Sequence, residues 1–273
     1  MPELPEIETV KLQLGGVLVG QKLTKITLNN NRTVKGDIQH LVGKRVVGVN
    51  RKGKVLLIDF GDGTELGFHF KMTGQLIYDD GKTRISGGHP TEDFVNKMPS
   101  SHTRVIFEFE NSKLYFNDQR LFGWIEVNPK FVDKLGPEPF EISKDEFIKR
   151  LSKLRSPIKT VIMNQEVISG VGNIYANDAL WEAGINPRVI SYQLSVEQLS
   201  LLLEKIILVL NEGIKYGGAT YDDYLDLHGA GGHYQEHFRT YKQDGKACKR
   251  CGETIVKNVL GGRGTYYCPN CQK

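Results

Sequence analysis

The six residues Val105-Ile106-Phe107-Glu108-Phe109-Glu110 indicate the fold class of the first half of the chain. Their odd-numbered positions are apolar, and the last two even-numbered positions are acidic. Such alternation is typical of a β-strand with one buried face and one wet face. Further strands are predicted at residues 22–28, 46–50, 55–60, 66–71, 75–78, 113–116 and 123–127. About eight short strands predict a β-sandwich.

Two other segments accompany these strands. A short helix is predicted over residues 3–14, ahead of the first strand. Residues 79–101 are polar, contain glycine and proline, and show no periodicity, so we expect a long loop there and assign it no role.

The second half of the chain has helical spacing. Two prolines and a glycine at residues 134–139 mark a domain boundary. Capping boxes at Ser143 with Glu146 and at Ser195 with Gln198 predict the starts of two helices. A third helix begins at Ser156-Pro157. A fourth begins at Asn173 and is expected to end at Gly184.

The loop at residues 165–173 contains Gly170 and Gly172 and opens directly into the helix that begins at Asn173. Backbone amides in such a loop can approach an anion, and Asn173 can cap the helix or donate to the same oxygen. The alternative is an ordinary turn between helices with an asparagine cap. The loop alone leaves both interpretations open.

All four cysteines follow the pattern Cys248-x2-Cys251, sixteen residues, Cys268-x2-Cys271. This spacing predicts one structural zinc ion held by four thiolates, a closed site with no position for a catalytic water. Disulfide pairing is the alternative, and the lack of a secretion signal argues against it. Arg263 lies near the tip of the intervening hairpin, where it either contacts a DNA phosphate or is simply solvated.

The N-terminus reads Met1-Pro2-Glu3-Leu4-Pro5-Glu6. A small second residue favours removal of Met1, which would leave Pro2 as a free secondary amine. Such an amine can attack a sugar C1′ and form an iminium, with a nearby carboxylate moving protons. Alternatively, the prolines stiffen a leader and the carboxylates suit the first turn of a helix.

Composition narrows the class of protein. A chain of 273 residues with 39% hydrophobic content is expected to be globular, and no apolar run of membrane-spanning length occurs. We therefore expect a cytoplasmic protein without a membrane partner. The net charge is +4, but residues 242–273 alone carry +5, so a polyanion would meet a local basic surface.

In this order, the motifs resemble the bacterial formamidopyrimidine-DNA glycosylases over the whole chain. The resemblance rests on residues 2–8, 51–54, 69–74, 117–123, 170–175 and 262–265 with the zinc ribbon. It implies an α+β multidomain protein with three parts. These are an N-terminal catalytic β-sandwich domain with an N-terminal helix (residues 1–131), a helix-two-turn-helix DNA-binding domain (138–240) and a four-cysteine zinc finger (241–273).

The resemblance also implies site residues. Pro2 is the nucleophile, Glu3 the general acid and Lys54 an assisting lysine, and Arg263 completes the catalytic set. The residues that it implies contact DNA are Met72, His102, Arg120, Phe122, Asn173 and Arg263. In local terms Lys54 merely flanks a hydrophobic strand, and Met72 and Phe122 would fit a core. Residues 219–238 occupy the place of a loop that closes over an everted base.

The implied activity is base-excision repair by a glycosylase and abasic-site lyase acting on oxidised purines in double-stranded DNA. We expect a cytoplasmic monomer that associates with the nucleoid when acting. The alternatives are an endonuclease VIII-like enzyme for oxidised pyrimidines, against which Leu4 argues, and a catalytically silent damage-binding protein. Departures from the family pattern are Leu121 in place of Arg or Lys, Asp178 in place of Glu, and Arg104 in place of a frequent His.

Overall fold

The computed structural model describes residues 1–88, 97–219 and 232–273. Two compact units are present: Met1–Asp133 with Ile214–Gln235, and Lys134–Gly213 with Glu236–Lys273. Over the described part of the chain, no helix is long and apolar enough to cross a membrane. The boundaries of the three domains remain a prediction.

Two five-stranded sheets form the first unit. The described residues give β1 (Leu23–Leu28), β2 (Val34–Lys35), β3 (Gly48–Lys52), β4 (Val55–Asp59), β5 (Glu65–His69), β6 (Gly74–Asp79), β7 (Arg84–Gly88), β8 (Thr103–Phe109), β9 (Lys113–Asp118) and β10 (Trp124–Val127). The strand orders are β1-β8-β9-β6-β7 and β2-β10-β5-β4-β3. Phe68 of one sheet lies 5.8 Å from Phe107 and 6.1 Å from Phe116 of the other, measured between ring centroids. The sandwich prediction is confirmed.

Helix α1 (Leu4–Leu18) packs on this core and ends four residues later than predicted. Its residues Ile7, Val10, Leu14 and Leu18 recur every three or four positions and are buried in the core that both sheets share. Burying each such side chain contributes roughly 1.5–3 kcal/mol. The helix that follows the predicted catalytic residues Pro2 and Glu3 is therefore packed against the core along its whole length.

One strand lies where the sequence predicted only loop. Strand β7 falls inside residues 79–101 and pairs antiparallel with β6 at the edge of its sheet. Backbone pairing holds it, so its sequence needs no apolar alternation. Residues 89–96 of the same stretch lie outside the described residues.

The second unit contains helices α2 (Lys144–Leu151), α3 (Ile158–Ile162), α4 (Asn173–Glu182) and most of α5 (Val196–Lys215), with strands β11 (Val256–Leu260) and β12 (Arg263–Tyr267). Short 3-10 turns in the described residues are Asn31–Thr33, Gln39–Leu41, Val132–Lys134, Ser191–Gln193 and Tyr234–His237. The Ser143 hydroxyl accepts from the Glu146 N–H, and Ser195 and Gln198 bond reciprocally, so both predicted helix starts are confirmed.

Candidate active site and nucleic-acid interface

The N-terminal end of α1 is held by a reciprocal capping arrangement. Pro2 is buried, and so is Glu3, whose side chain accepts from the Glu6 N–H. The Glu6 carboxylate accepts from the Glu3 N–H at 2.7 Å and from the Ala219 N–H at 2.9 Å. These bonds satisfy N–H groups that a helix start would otherwise leave unpaired. Pro2 and Glu3 are thereby given a defined position.

Ala219 begins the segment predicted to close over an everted base, most of which, residues 220–231, lies outside the described residues. The ends of the segment are paired: the His233 N–H donates to the Tyr216 carbonyl at 2.8 Å, and the Tyr234 N–H to that of Gly218 at 3.0 Å. A Cβ on Gly218 would come within 2.8 Å of the Glu6 side chain, and this glycine has φ +85°. Both constraints require glycine here.

Lys54 is the second residue of the two-residue turn between β3 and β4, and it is buried. Arg51, on β3, donates through Nε to the Glu8 carboxylate of α1 at 2.7 Å, and both side chains are largely buried. Burial acts to raise the pKa of Glu8, but hydrogen bonds from Lys11 and Arg51 outweigh it and hold the pKa below its usual value. This ion pair fixes β3, the strand that precedes the Lys54 turn, against α1, the helix that follows Pro2 and Glu3.

His69 is a buried residue that sequence reasoning did not single out. Its ring lies 5.6 Å from that of Trp124 and 6.1 Å from that of Phe131. Its Nδ1 accepts from the Lys71 N–H at 3.1 Å, which places the proton of the neutral ring on Nε2.

Three lysine charges act on this ring. Burial, followed by the charges of Lys71, Lys54 and Lys35, lowers the pKa of His69 to about 3. Burial and the three lysine charges therefore keep the His69 ring neutral near pH 7. The only sequence signal was its position at the start of the motif at residues 69–74, because a lone histidine in a strand otherwise looks like core.

Met72 and Phe122 are exposed over 38% and 53% of their surfaces, so the alternative that they are core residues is wrong. The Arg120 guanidinium lies over the Phe122 ring, 4.7 Å from its centroid. Met72 precedes β6 and Arg120 follows β9, and the pairing of Gly74 with Asp118 brings these two loops together. Two apolar side chains and a cation therefore share one surface of the first unit.

The neighbouring loops contain Leu121, a departure from the family pattern, and His102, which was expected to contact DNA. Leu121 has φ +57°, a conformation that side chains rarely adopt. His102 is partly buried, and its ring Nδ1 lies 3.3 Å from the Ser101 hydroxyl. Arg104, noted above as a departure, donates from Nε to the Asp118 carbonyl at 2.7 Å.

In the second unit, the glycine-bearing loop is tied by one glutamine. The Gln165 amide donates to the Met163 and Val171 carbonyls and accepts from the Gly170 N–H, all within 2.9 Å. Gly172 is the N-cap of α4, without a side-chain capping bond, and Asn173 is the first helical residue. The predicted helix start at Asn173 is confirmed. Of the two roles left open for its side chain, capping this helix is excluded, because the cap falls one residue earlier.

The four cysteine sulfurs lie within 4.8 Å of one another. The Sγ atoms of Cys251 and Cys268 are 3.5 Å apart, and those of Cys248 and Cys271 are 3.9 Å apart. Zinc–sulfur bonds of about 2.3 Å in a tetrahedron place sulfurs about 3.8 Å apart, so this donor set fits one structural zinc. Disulfides require about 2.05 Å and do not fit.

Strands β11 and β12 form the hairpin that carries Arg263. Gly261 and Gly262 both have positive φ and connect the Leu260–Arg263 pair, as a two-residue hairpin turn requires. Arg263 is exposed directly after this turn.

Two buried side chains attach this hairpin to the helices. Lys159 of α3 is 1% exposed and donates from Nζ to the Gly264 carbonyl and the Thr265 hydroxyl, both at 2.8 Å. Asn177 of α4 accepts from the Tyr266 N–H at 2.8 Å. The structure thus links Arg263 to the helix that starts at Asn173, through residues that sequence reasoning missed.

Asp178, the shorter carboxylate noted as a departure, is fully buried. It accepts from the N–H groups of Arg239, Thr240 and Tyr241 at 2.9–3.2 Å. Burial raises its pKa, and these bonds oppose the shift. It therefore orients the chain just before the zinc-binding segment.

The predicted residues are divided between the units. Those in the first are Pro2, Glu3, Lys54, Met72, His102, Arg120 and Phe122, and those in the second are Asn173, Arg263 and the four cysteines.

Comparisons with known proteins cover the whole chain. Family models match the formamidopyrimidine-DNA glycosylase N-terminal domain at residues 1–125, its H2TH domain at 135–224, and the zinc finger found in FPG and IleRS at 245–273. A formamidopyrimidine-DNA glycosylase of Pelotomaculum thermopropionicum is 38% identical, with 100% of this chain and 99% of that protein covered.

Solved structures agree. A complex of a Lactococcus lactis Fpg mutant with Fapy-dG-containing DNA has a TM-score of 0.87 and 33% identity, and a complex of the Lactococcus lactis protein with abasic-site DNA has 0.86 and 32%; both cover 100% of each chain. With three family domains matched in order and full-length relatives above 30% identity, the chain belongs to the formamidopyrimidine-DNA glycosylase family.

Proposed function

We propose that this protein is a DNA glycosylase and abasic-site lyase of base excision repair that removes oxidised purines, such as 8-oxoguanine and formamidopyrimidines, from double-stranded DNA. The observation that carries the proposal is Pro2, buried beside Glu3 at the capped start of α1. The similar protein of Pelotomaculum thermopropionicum bears the name of the glycosylase activity, and the two Lactococcus lactis structures described above are complexes with Fapy-dG-containing and abasic-site DNA.

The proposed chemistry begins when Met1 is removed. The lone pair of the Pro2 nitrogen forms a bond to C1′ as the glycosidic bond breaks. The base leaves with the electrons of the glycosidic bond and takes up the proton that the Pro2 nitrogen then releases. Glu3 donates a proton to the ring oxygen as the sugar opens, which gives a C1′ iminium. Because a tertiary iminium has no N–H proton to lose, it stays an electron sink.

Strand cleavage follows from that sink. Loss of a C2′ proton sends electrons to the iminium and expels the 3′-phosphate, and a second elimination expels the 5′-phosphate. The departing phosphates keep the bonding pairs, so no oxidant or reductant is needed. Lys54 would assist at the base, close enough to His69 for its charge to affect that ring.

Recognition is assigned to the remaining residues. Met72, Arg120 and Phe122 would fill the space left by an everted nucleotide, since an apolar wedge and an arginine can offset lost stacking and pair with the orphaned base. His102, Asn173 and Arg263 would contact the backbone. The zinc ion would hold the hairpin that presents Arg263, without chemistry of its own.

The test is single-turnover strand cleavage of duplexes that carry 8-oxoguanine, an oxidised pyrimidine or a preformed abasic site. We expect faster cleavage of the oxidised purine than of the oxidised pyrimidine. Faster cleavage of the pyrimidine would favour an endonuclease VIII-like enzyme, and binding without cleavage of any duplex would identify a silent damage binder.

Localisation and assembly belong to the same proposal. The protein is expected to act as a monomer in the cytoplasm, at the nucleoid, because its substrate is chromosomal DNA. Light scattering with and without a lesion duplex measures the first property, and imaging of a fluorescent fusion measures the second.

A further inference from the structure

Asp118, the last residue of β9, is fully buried, and its carboxylate accepts three hydrogen bonds within the first unit. Its Oδ1 accepts from the Thr73 hydroxyl at 2.5 Å and from the Arg120 N–H at 3.2 Å. Its Oδ2 accepts from the Gly123 N–H at 2.7 Å. The Arg120 N–H also donates to the Thr73 hydroxyl at 3.1 Å, which closes a small network.

The backbone of Asp118 makes hydrogen bonds to a third segment, at His102 and Arg104. The Asp118 N–H donates to the His102 carbonyl at 3.0 Å, and the Asp118 carbonyl accepts from Arg104 Nε at 2.7 Å. Asp118 thus touches the loop after Met72, the loop that carries Arg120 and Phe122, and the segment at His102. Each of these segments carries a residue assigned to DNA contact.

The turn after Asp118 needs such support. Leu121 has φ +57°, and Lys71, which precedes Met72, has φ +50°. A Cβ added at Gly123 would lie 3.0 Å from Asp118 Oδ2, so glycine lets its own N–H approach the carboxylate closely. A non-glycine residue at positive φ persists when its surroundings hold it there, and here the carboxylate bonds residues on both sides of Leu121.

We infer that Asp118 is a positioning residue for lesion recognition: its buried carboxylate holds the Met72 loop and the Arg120–Phe122 loop as one rigid wedge. The inference rests on the proposed function. It assigns Asp118 to the step in which the damaged nucleotide leaves the duplex, and it assigns Thr73 to the same network. Asp118 does not touch the reacting sugar in this account.

The test uses Asp118→Asn, Thr73→Val and the double variant. The asparagine amide keeps one acceptor oxygen but sets its NH2 against an N–H or a hydroxyl donor. Excision of 8-oxoguanine from a paired duplex should slow by about 10- to 100-fold, since a small misplacement of positioning groups can cost that much. Cleavage at a preformed abasic site, which is easier to evert, should change by less than about threefold.

The two single variants share one network, so their effects should not add, and the double variant should resemble the slower single variant. Asp59→Asn is the matched control, because Asp59 also ends a strand of the first unit and accepts from a glycine N–H, that of Gly61 at 2.7 Å. It should leave both reactions unchanged. A 2-aminopurine placed opposite the lesion should brighten on binding to the parent protein and to Asp59→Asn, and much less with Asp118→Asn.

Equal slowing of both reactions, with unchanged thermal unfolding, would overturn the inference and leave the proposed function intact. Additive effects in the double variant would also overturn it. If the parent protein cleaves neither substrate, the proposed function itself fails. This outcome can be told apart from equal slowing and from additive effects, because those two require an active parent protein.

Discussion

Helix α1 and the β11–β12 hairpin each present a predicted functional residue, Pro2 and Arg263, but they are held by different means. Four residues of α1 join an apolar core that counts 24 buried side chains among the described residues. The buried cluster at the hairpin has five members, and two of them are the cysteines Cys248 and Cys268. A segment that buries so little apolar surface needs a metal to fold. Loss of the metal should therefore unfold the hairpin that presents Arg263 and leave α1, with Pro2, in place.

The largest effect should follow loss of zinc. In Cys268→Ser, or after chelation, the hairpin unfolds and misplaces Arg263 together with the other basic residues of the segment at residues 242–273. Affinity for a lesion duplex should therefore fall by about 100-fold, or about 2.7 kcal/mol. Thermal unfolding of the first unit should be retained, as its core contains none of the four cysteines. Zinc content and duplex affinity measure the effect; full zinc content with normal affinity would contradict it.

A smaller and more selective effect is expected at the wedge of the first unit. Arginine can donate to the acceptor-rich edge of an orphaned cytosine, whereas adenine presents a donor in the same region. Arg120→Ala should reduce the preference for cytosine over adenine opposite 8-oxoguanine by about tenfold, since one base contact is worth about 1–3 kcal/mol. Single-turnover cleavage with each opposite base measures it.

Met72→Ala is the variant with which the opposite-base preference of Arg120→Ala is compared. It should slow excision opposite either base and affect a preformed abasic site much less. Unchanged discrimination in Arg120→Ala would remove the assigned role of the arginine.

A third effect concerns acid stability of the first unit. His69 is neutral in the folded protein because its pKa is about 3, while in the unfolded chain it titrates near 6.5. Between these values the unfolded state binds the extra proton, so the unfolding free energy falls toward acid by about 1.4 kcal/mol per pH unit for this group. Denaturant unfolding at pH 7.5 and 5.5 should show a larger loss in the parent than in His69→Gln. Equal losses would contradict the buried neutral ring.

The smallest effect is expected from Arg263 alone. Arg263→Ala should weaken binding to any sequence and reduce the salt slope by about 0.9, the value of one phosphate contact. Arg263→Lys, which keeps the charge, is the matched control and should restore the slope. Lys159→Met should act in the same direction, because it removes the two bonds that hold Gly264 and Thr265. An unchanged slope in Arg263→Ala would leave the arginine merely solvated.

Most of the fold that could be predicted was predicted from patterns among residues close together in the sequence. The capping boxes at Ser143 and Ser195 involve residues three apart, and the cysteine pattern encodes its own geometry. Strand β7 was not predicted, because it is stabilised by backbone pairing with β6 and its own sequence shows no apolar alternation.

The missed residues of the site depend on contacts distant in sequence. Lys159 binds a carbonyl 105 residues away, and Asp118 binds a hydroxyl 45 residues away. In the sequence both look like ordinary charged residues at the end of an element. Likewise, the buried position of His69 among three lysines depends on the packing of separate strands.

The proposed mechanism depends on the amine of Pro2 as the nucleophile. Borohydride reduction of the protein with abasic-site DNA, followed by intact-mass measurement and peptide mapping, tests it most directly. We expect a covalent adduct on Pro2 in protein that lacks Met1, and no adduct in protein that retains Met1. An adduct on Lys54, or equal activity with Met1 in place, would contradict it.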